Sequence, residues 1–203
     1  MKNKRQSNSL LITLIKWIGK GFKTLRVPLF ASDFMTAMAW KAPNGDIYTM
    51  VKTAPAVVVL PFVKKGNNYE VLLIEQVCSE KMGVILKTIG GYIGETETPE
   101  RAVVRNLENK ADLKIEQDRL ISDGRMIGYT VVETPISIFR LELTLKEASQ
   151  LTQLSDPGIS ICLMPLEDAV SLAKADEVGD DSTAIPLYKL YCDVVQGLIK
   201  NRE

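Results

Sequence analysis

The chain has 203 residues, 46% of them apolar and 25% charged, with 25 basic and 25 acidic side chains. That composition fits a globular domain of ordinary size and excludes a disordered or low-complexity chain. No apolar run reaches the roughly eighteen uncharged residues of a membrane-spanning helix, since residues 10–18 are interrupted by Lys16, and the complete absence of histidine rules out imidazole acids, bases and metal ligands.

Chemistry must therefore rest on carboxylates, amines, hydroxyls or thiols. Cys78, Cys162 and Cys192 are an odd number with no C-x-x-C pair, which predicts reduced, mostly buried thiols in a cytoplasmic protein rather than a disulfide framework. Seven positive charges and no acid fall in the first 26 residues, leaving 18 basic against 25 acidic side chains, a net −7, on the remainder. An acidic body disfavours nucleic acid, whereas the basic arm at 1–26 would suit a membrane surface or an acidic partner.

In that arm Leu11, Leu14, Ile15, Ile18, Phe22 and Leu25 recur at three- and four-residue spacing, with Lys16, Lys20 and Lys23 on another face. The pattern predicts an amphipathic basic helix, weakened by Gly19 and Gly21, in a segment 1–37 set apart from a domain at 38–203. Docking on its own domain or a dimer partner, lying in a membrane interface, and acting as an uncleaved targeting segment all remain open for it.

From residue 38 the pattern turns strand-like: 38–41 and 47–51 around Asn44-Gly45, then 56–63 and 70–76 around a second hairpin turn, then 84–91. A helix is expected over 98–111, with Thr98 as N-cap, Pro99 in its first position and Glu100 in its first turn. Strands at 126–132 and 136–143, a polar connector at 144–157, a strand at 159–164 and helices at 166–175 and 183–200 complete the order. Many antiparallel strands, one central helix and closing helices predict an α+β chain with a mixed sheet between helices.

One stretch carries a family pattern. Residues 90–113 read Gly90-Gly91-Tyr92-Ile93-Gly94-Glu95-Thr96-Glu97-Thr98-Pro99, then Glu100-Arg101-Ala102-Val103-Val104-Arg105-Asn106-Leu107, then Glu108-Asn109-Lys110-Ala111-Asp112-Leu113. This resembles the Nudix box, G-x5-E-x7-R-E-U-x-E-E-x-G-U with U a bulky aliphatic, and Gly91, Glu97, Arg105, Leu107 and Leu113 fall in register. The Glu97-Thr98-Pro99 triplet and Ala102 are similar to the box of ADP-ribose pyrophosphatases, and the likeness extends over about residues 38–192.

The resemblance implies a Nudix fold, a homodimer with exchanged N-terminal strands, and hydrolysis of a nucleotide diphosphate such as ADP-ribose with magnesium or manganese. It also implies that Glu97 and Arg105 form an ion pair bracing loop against helix. The metal-binding glutamates of the pattern fall on Asn106, Asn109 and Lys110. These positions lie within about 100° of one another on a helix, so three negative charges are lost and one positive is gained where a dication should sit. Glu108 points to another face.

The candidate catalytic residues are accordingly Glu97, Arg105 and Asp156, the last as a general base, with Glu147 the other nearby acid. Gly91, Lys110, Asn106, Asn109 and Gln76 are the candidate ligand-binding set, and the metal ligands are open. Three functions follow. The chain is a Nudix-fold protein, catalytically impaired, that binds a nucleotide diphosphate or a protein partner through its cleft and needs no cofactor, with Lys110 replacing the ion. Or it is a working hydrolase in which Glu95, Glu97, Glu100 and Asp156 hold a rearranged magnesium or manganese. Or it is a scaffold or membrane-associated protein that works through its basic helix.

Overall fold

The computed structural model describes residues 26–32, 35–79, 83–127, 132–151 and 158–199. Among them the strands are β1 (Arg26–Ala31), β2 (Met35–Lys41), β3 (Ile47–Thr53), β4 (Ala56–Lys65), β5 (Asn68–Ser79), β6 (Gly83–Lys87), β7 (Ile89–Tyr92), β8 (Ile121–Ile127), β9 (Val132–Glu133), β10 (Pro135–Leu143) and β11 (Ile159–Pro165). The helices are α1 (Pro99–Ala111), α2 (Leu145–Leu151), α3 (Leu166–Lys174) and α4 (Asp181–Val195), with a short 3-10 turn at Gln117–Arg119. The chain is mixed α+β. No helix among the described residues is long and apolar enough to cross a membrane, and the amphipathic basic helix expected before residue 26 lies outside them.

Two compact units result, one from residues 1–54 and 127–135, the other from 55–126 and 136–203. The first carries a four-stranded sheet in the order β1-β2-β3-β9. Its β2–β3 hairpin turns at Asn44-Gly45, where Gly45 takes φ +92, a backbone region costly for residues with a Cβ. Asn44 fixes the turn through hydrogen bonds with Asp46. β1 falls in the segment 1–37 set apart above from the strand-bearing domain; it tolerates Pro28 because it lies at an edge, beside a register shift between Pro28 and Phe30.

The second unit is built on a sheet ordered β11-β5-β4-β10-β8. β4 is buried without interruption from Val57 to Val63, the signature of a strand covered on both faces. Val57, Val59 and Val63 pack with Leu72, Ile74, Leu107 and Phe139 under α1 and α2. Leu60 and Phe62 face the other way, with Leu73, Leu166, Val170, Leu187 and Leu190 under α3 and α4. Helices therefore cover both faces, as the alternation requires.

The run 84–91, which reads as one strand, is two. β6 pairs with β5 and β7 pairs with β4, and the partner changes at Thr88. Buried Thr88 turns its N–H out of the ladder to Thr183 Oγ1 of α4 (3.2 Å), whose own N-cap, Asp180, accepts from the Thr183 N–H at 3.0 Å. The expected strand 126–132 is displaced to β8, and α2 occupies part of the connector expected to be irregular. A reciprocal capping box makes α2 possible: the Thr144 N–H bonds Glu147 Oε2 (2.8 Å) and the Glu147 N–H bonds Thr144 Oγ1 (3.2 Å). Glu147 also meets Arg119 at 2.6 Å. Of the thiols, Cys162 is half-buried and Cys192 is exposed, so the expectation of mostly buried cysteines fails at Cys192, which falls on the outer side of α4.

Candidate functional site

The stretch that carries the resemblance folds as strand β7, a loop at 93–98 and helix α1. Thr98 accepts the Arg101 N–H (3.3 Å) as N-cap and Pro99 opens the helix, so the start lies where the sequence puts it. Ala102, Val103, Leu107 and Ala111 recur at helical spacing and are buried in the core under β4 and β7. At the far end Asp112 adopts a left-handed conformation, φ 48, and its N–H returns to Glu108 and Leu107. The helix thus ends in a glycine-type cap with an aspartate in it.

Glu97 and Arg105 form a bidentate pair: Arg105 Nε to Glu97 Oε1 and Nη2 to Oε2 are both 2.8 Å. Arg105 Nη2 also donates to the Tyr92 carbonyl (2.8 Å), and the Gly94 N–H donates to Glu97 Oε2 (2.9 Å). Four hydrogen bonds thereby tie the loop to both the strand before it and the helix after it. The Arg105 hydrogen bonds, helped by the Gly94 N–H, hold the Glu97 carboxyl down at about 2. Glu97 and Arg105 are engaged by one another and by main chain, an arrangement suited to bracing.

Glu147, held at about 2 chiefly by Arg119, shares this behaviour. Both carboxyls have folded pKa values below the ordinary 4.5. Their stabilisation is therefore complete above about pH 4.5 and is lost as pH falls from there towards about 2. Thermal melts across that window should show Tm falling with acid, and the double variant Glu97→Gln/Glu147→Gln should be less stable by about 2–4 kcal/mol at neutral pH, with a Tm that falls less in acid. An unchanged acid slope in the double variant would contradict the assignment.

The face of α1 that carries Asn106 and Lys110 is stitched to β7. Asn106, 4% exposed, donates through Nδ2 to the Ala102 carbonyl one turn back (2.8 Å), and its amide packs against Gly91. A Cβ at position 91 would stand 2.8 Å from Asn106 Nδ2, so the glycine is required by the close approach of helix and strand. One turn on, Lys110 Nζ donates to the Gly90 carbonyl at 2.5 Å. Asn109 is exposed, and exposed Glu108 pairs at 3.5 Å with Lys114. Glu95 is exposed on the loop and Glu100 is half-buried in the first turn.

A hard dication wants several anionic or carbonyl oxygens. This helix face offers two amides and an ammonium, and among the described residues no group of three or more acidic or thiol side chains is placed to hold a metal. The residues present do not fit such an ion. Gln76, in β5 opposite Ile159 of β11 and Ile85 of β6, keeps its Oε1 buried without a hydrogen-bond partner. Asp156 lies outside the described residues.

A second polar cluster escaped sequence reasoning. Arg140 of β10, its side chain 13% exposed, meets Asp123 of β8 at 2.6 Å and Asp193 of α4 at 2.7 Å. Lys189 donates to the Asp123 carbonyl at 2.5 Å. Beside them lies a depression of about 330 Å³ lined by Asp123, Tyr188, Lys189, Cys192 and Asp193. Burial raises the Asp123 carboxyl above its ordinary value in spite of Arg140. The one signal in the sequence was an arginine at an inward strand position, two residues after buried Ile138. Compared with models of known families and with curated proteins, the chain matches none.

Proposed function

We propose that the chain is a Nudix-like protein that binds a nucleoside diphosphate derivative, ADP-ribose being the first to test, without hydrolysing it through a dication. The observation that carries this reading is the 2.5 Å contact between Lys110 Nζ and the Gly90 carbonyl. An ammonium stands on the helix–strand seam at the position where the resemblance calls for a metal-bound carboxylate. The braced loop of Glu97 and Arg105 supports retained architecture. Lysine is a serviceable point charge for a diphosphate. Calorimetric titration with ADP-ribose in EDTA tests it: saturating heat below millimolar ligand is expected, and no heat at millimolar ligand ends the proposal.

A specific observation favours assembly as well. In the first unit Leu29, Phe30, Met35 and Tyr48 are exposed, and the buried hydrophobic residues among those described are Ala39 and Ala42. Trp40 and Tyr48 lie side by side across β2 and β3, ring centroids 5.7 Å apart. A sheet of this size with so little buried needs a cover, and we infer a homodimer through it. Light scattering should give twice the chain mass, reverting to one chain mass in Phe30→Glu/Tyr48→Lys. A wild-type monomer at tens of micromolar would refute the dimer.

A further inference from the structure

We propose that the Lys110 ammonium is a built-in structural cation that makes the β7–α1 seam independent of any dication. That it stands in for an ion rests on the Nudix-like reading above; its structural duty rests on geometry alone. Three features carry it. Lys110 crosses from the last turn of α1 to the Gly90 carbonyl at 2.5 Å, so a positive charge sits at the helix end where the macrodipole favours it. The backbone there has no slack: a Cβ on Gly90 would lie 2.6 Å from the Val57 carbonyl oxygen, and one on Gly91 would enter the Asn106 amide. Finally, the Asn106 amide is turned inward and donates to the Ala102 carbonyl, so that donor is taken up within the helix.

Gly90 and Gly91 lead directly into Tyr92, whose carbonyl Arg105 holds. Lys110 and Arg105, two cationic side chains of one helix, therefore grip the same strand at alternate carbonyls, Gly90 and Tyr92. In a metal-dependent site an ion would orient the strand from outside the covalent structure, and removing it would loosen the loop. Here the orienting charge is covalently attached, so chelation should leave the loop as it is. The lysine is a positioning residue, acting on the loop through the Gly90 carbonyl.

Thermal melts and amide exchange of the full chain, in EDTA and in millimolar manganese, test this without any nucleotide. Wild type is expected to melt at one temperature in both. Lys110→Met should melt about 4–8 °C lower in both, with faster exchange at Gly91 and Tyr92, and Lys110→Arg, which keeps a cation, should recover most of the loss. A wild-type Tm that climbs with manganese overturns the proposal. So does Lys110→Met melting with wild type at unchanged exchange. Should Lys110→Met fail to fold, Lys110→Arg decides: a melt within a few degrees of wild type supports the cation's role, and an equal collapse removes it. Because ADP-ribose is absent throughout, these outcomes are separate from the calorimetric test of ligand binding.

Discussion

Arg140→Met should destabilise the second unit by about 3–5 kcal/mol, the range for removing one partner of a buried charge pair. Asp123, 6% exposed in its side chain, would lose the guanidinium that meets it at 2.6 Å and keep only Lys189 nearby, and Asp193 would lose its tie to the sheet. At the usual conversion for a unit of this size, Tm should fall by roughly 10 °C. Much of that loss is the penalty on the stranded carboxylate rather than the strength of the pair. The double variant Arg140→Met/Asp123→Leu should therefore recover most of it, because replacing both partners by apolar groups of similar volume is often close to neutral. Urea melts of the two variants check this. A double variant as unstable as the single would mean that Arg140 matters for its packing against α4, not for its charge.

Gly90→Ala is the second large effect. A single methyl at that position meets main chain, the Val57 carbonyl oxygen at 2.6 Å, and Val58 Cγ1 at 2.9 Å. β4 is buried on both faces and cannot retreat, so β7 must lift away from it and carry the Gly90 carbonyl off Lys110. Overpacking of this kind costs about 1–3 kcal/mol or more, and here it adds the loss of a charged hydrogen bond, about 1.5–3 kcal/mol. Gly94→Ala is the control, since its added methyl meets only ordinary contacts at 3.5 Å with Glu97. The expected result is a deep fall in Tm for Gly90→Ala beside a small one for Gly94→Ala. Equal, small effects would show that the seam is looser than its distances indicate.

What the sequence made legible is what local chemistry specifies. Thr98, Pro99 and the spacing of Ala102, Val103, Leu107 and Ala111 mark α1 without outside help, and Asn44-Gly45 marks the first hairpin. The eight-residue separation of Glu97 and Arg105 matched a known pattern, and the two side chains do meet. The missed features depend on partners far away in the chain. A run of strand-forming residues at 84–91 cannot reveal that β6 and β7 take different neighbours, because Thr88 departs from the ladder for a hydroxyl 95 residues further on. α2 was hidden because its seven residues are mostly polar and its specification lies in one capping box. β1 was hidden by a proline that an edge strand accepts.

At the candidate site the identities of Asn106 and Lys110 were plain, and so was the charge they put on the helix face. Their partners were not, since each bonds to backbone, which every residue carries alike: Asn106 to the Ala102 carbonyl in its own helix and Lys110 to the Gly90 carbonyl twenty residues back. The Arg140 cluster joins three elements and leaves a trace in the sequence only as a charged residue at an inward strand position.

Incubating the full chain with ADP-ribose and millimolar magnesium or manganese, and following AMP release over hours, bears most directly on the ammonium at Lys110. On the proposed function, release should stay at the uncatalysed rate in wild type. Sustained, metal-dependent turnover that Glu97→Gln abolishes would contradict it, because the chain would then be holding a dication close to the Lys110 ammonium.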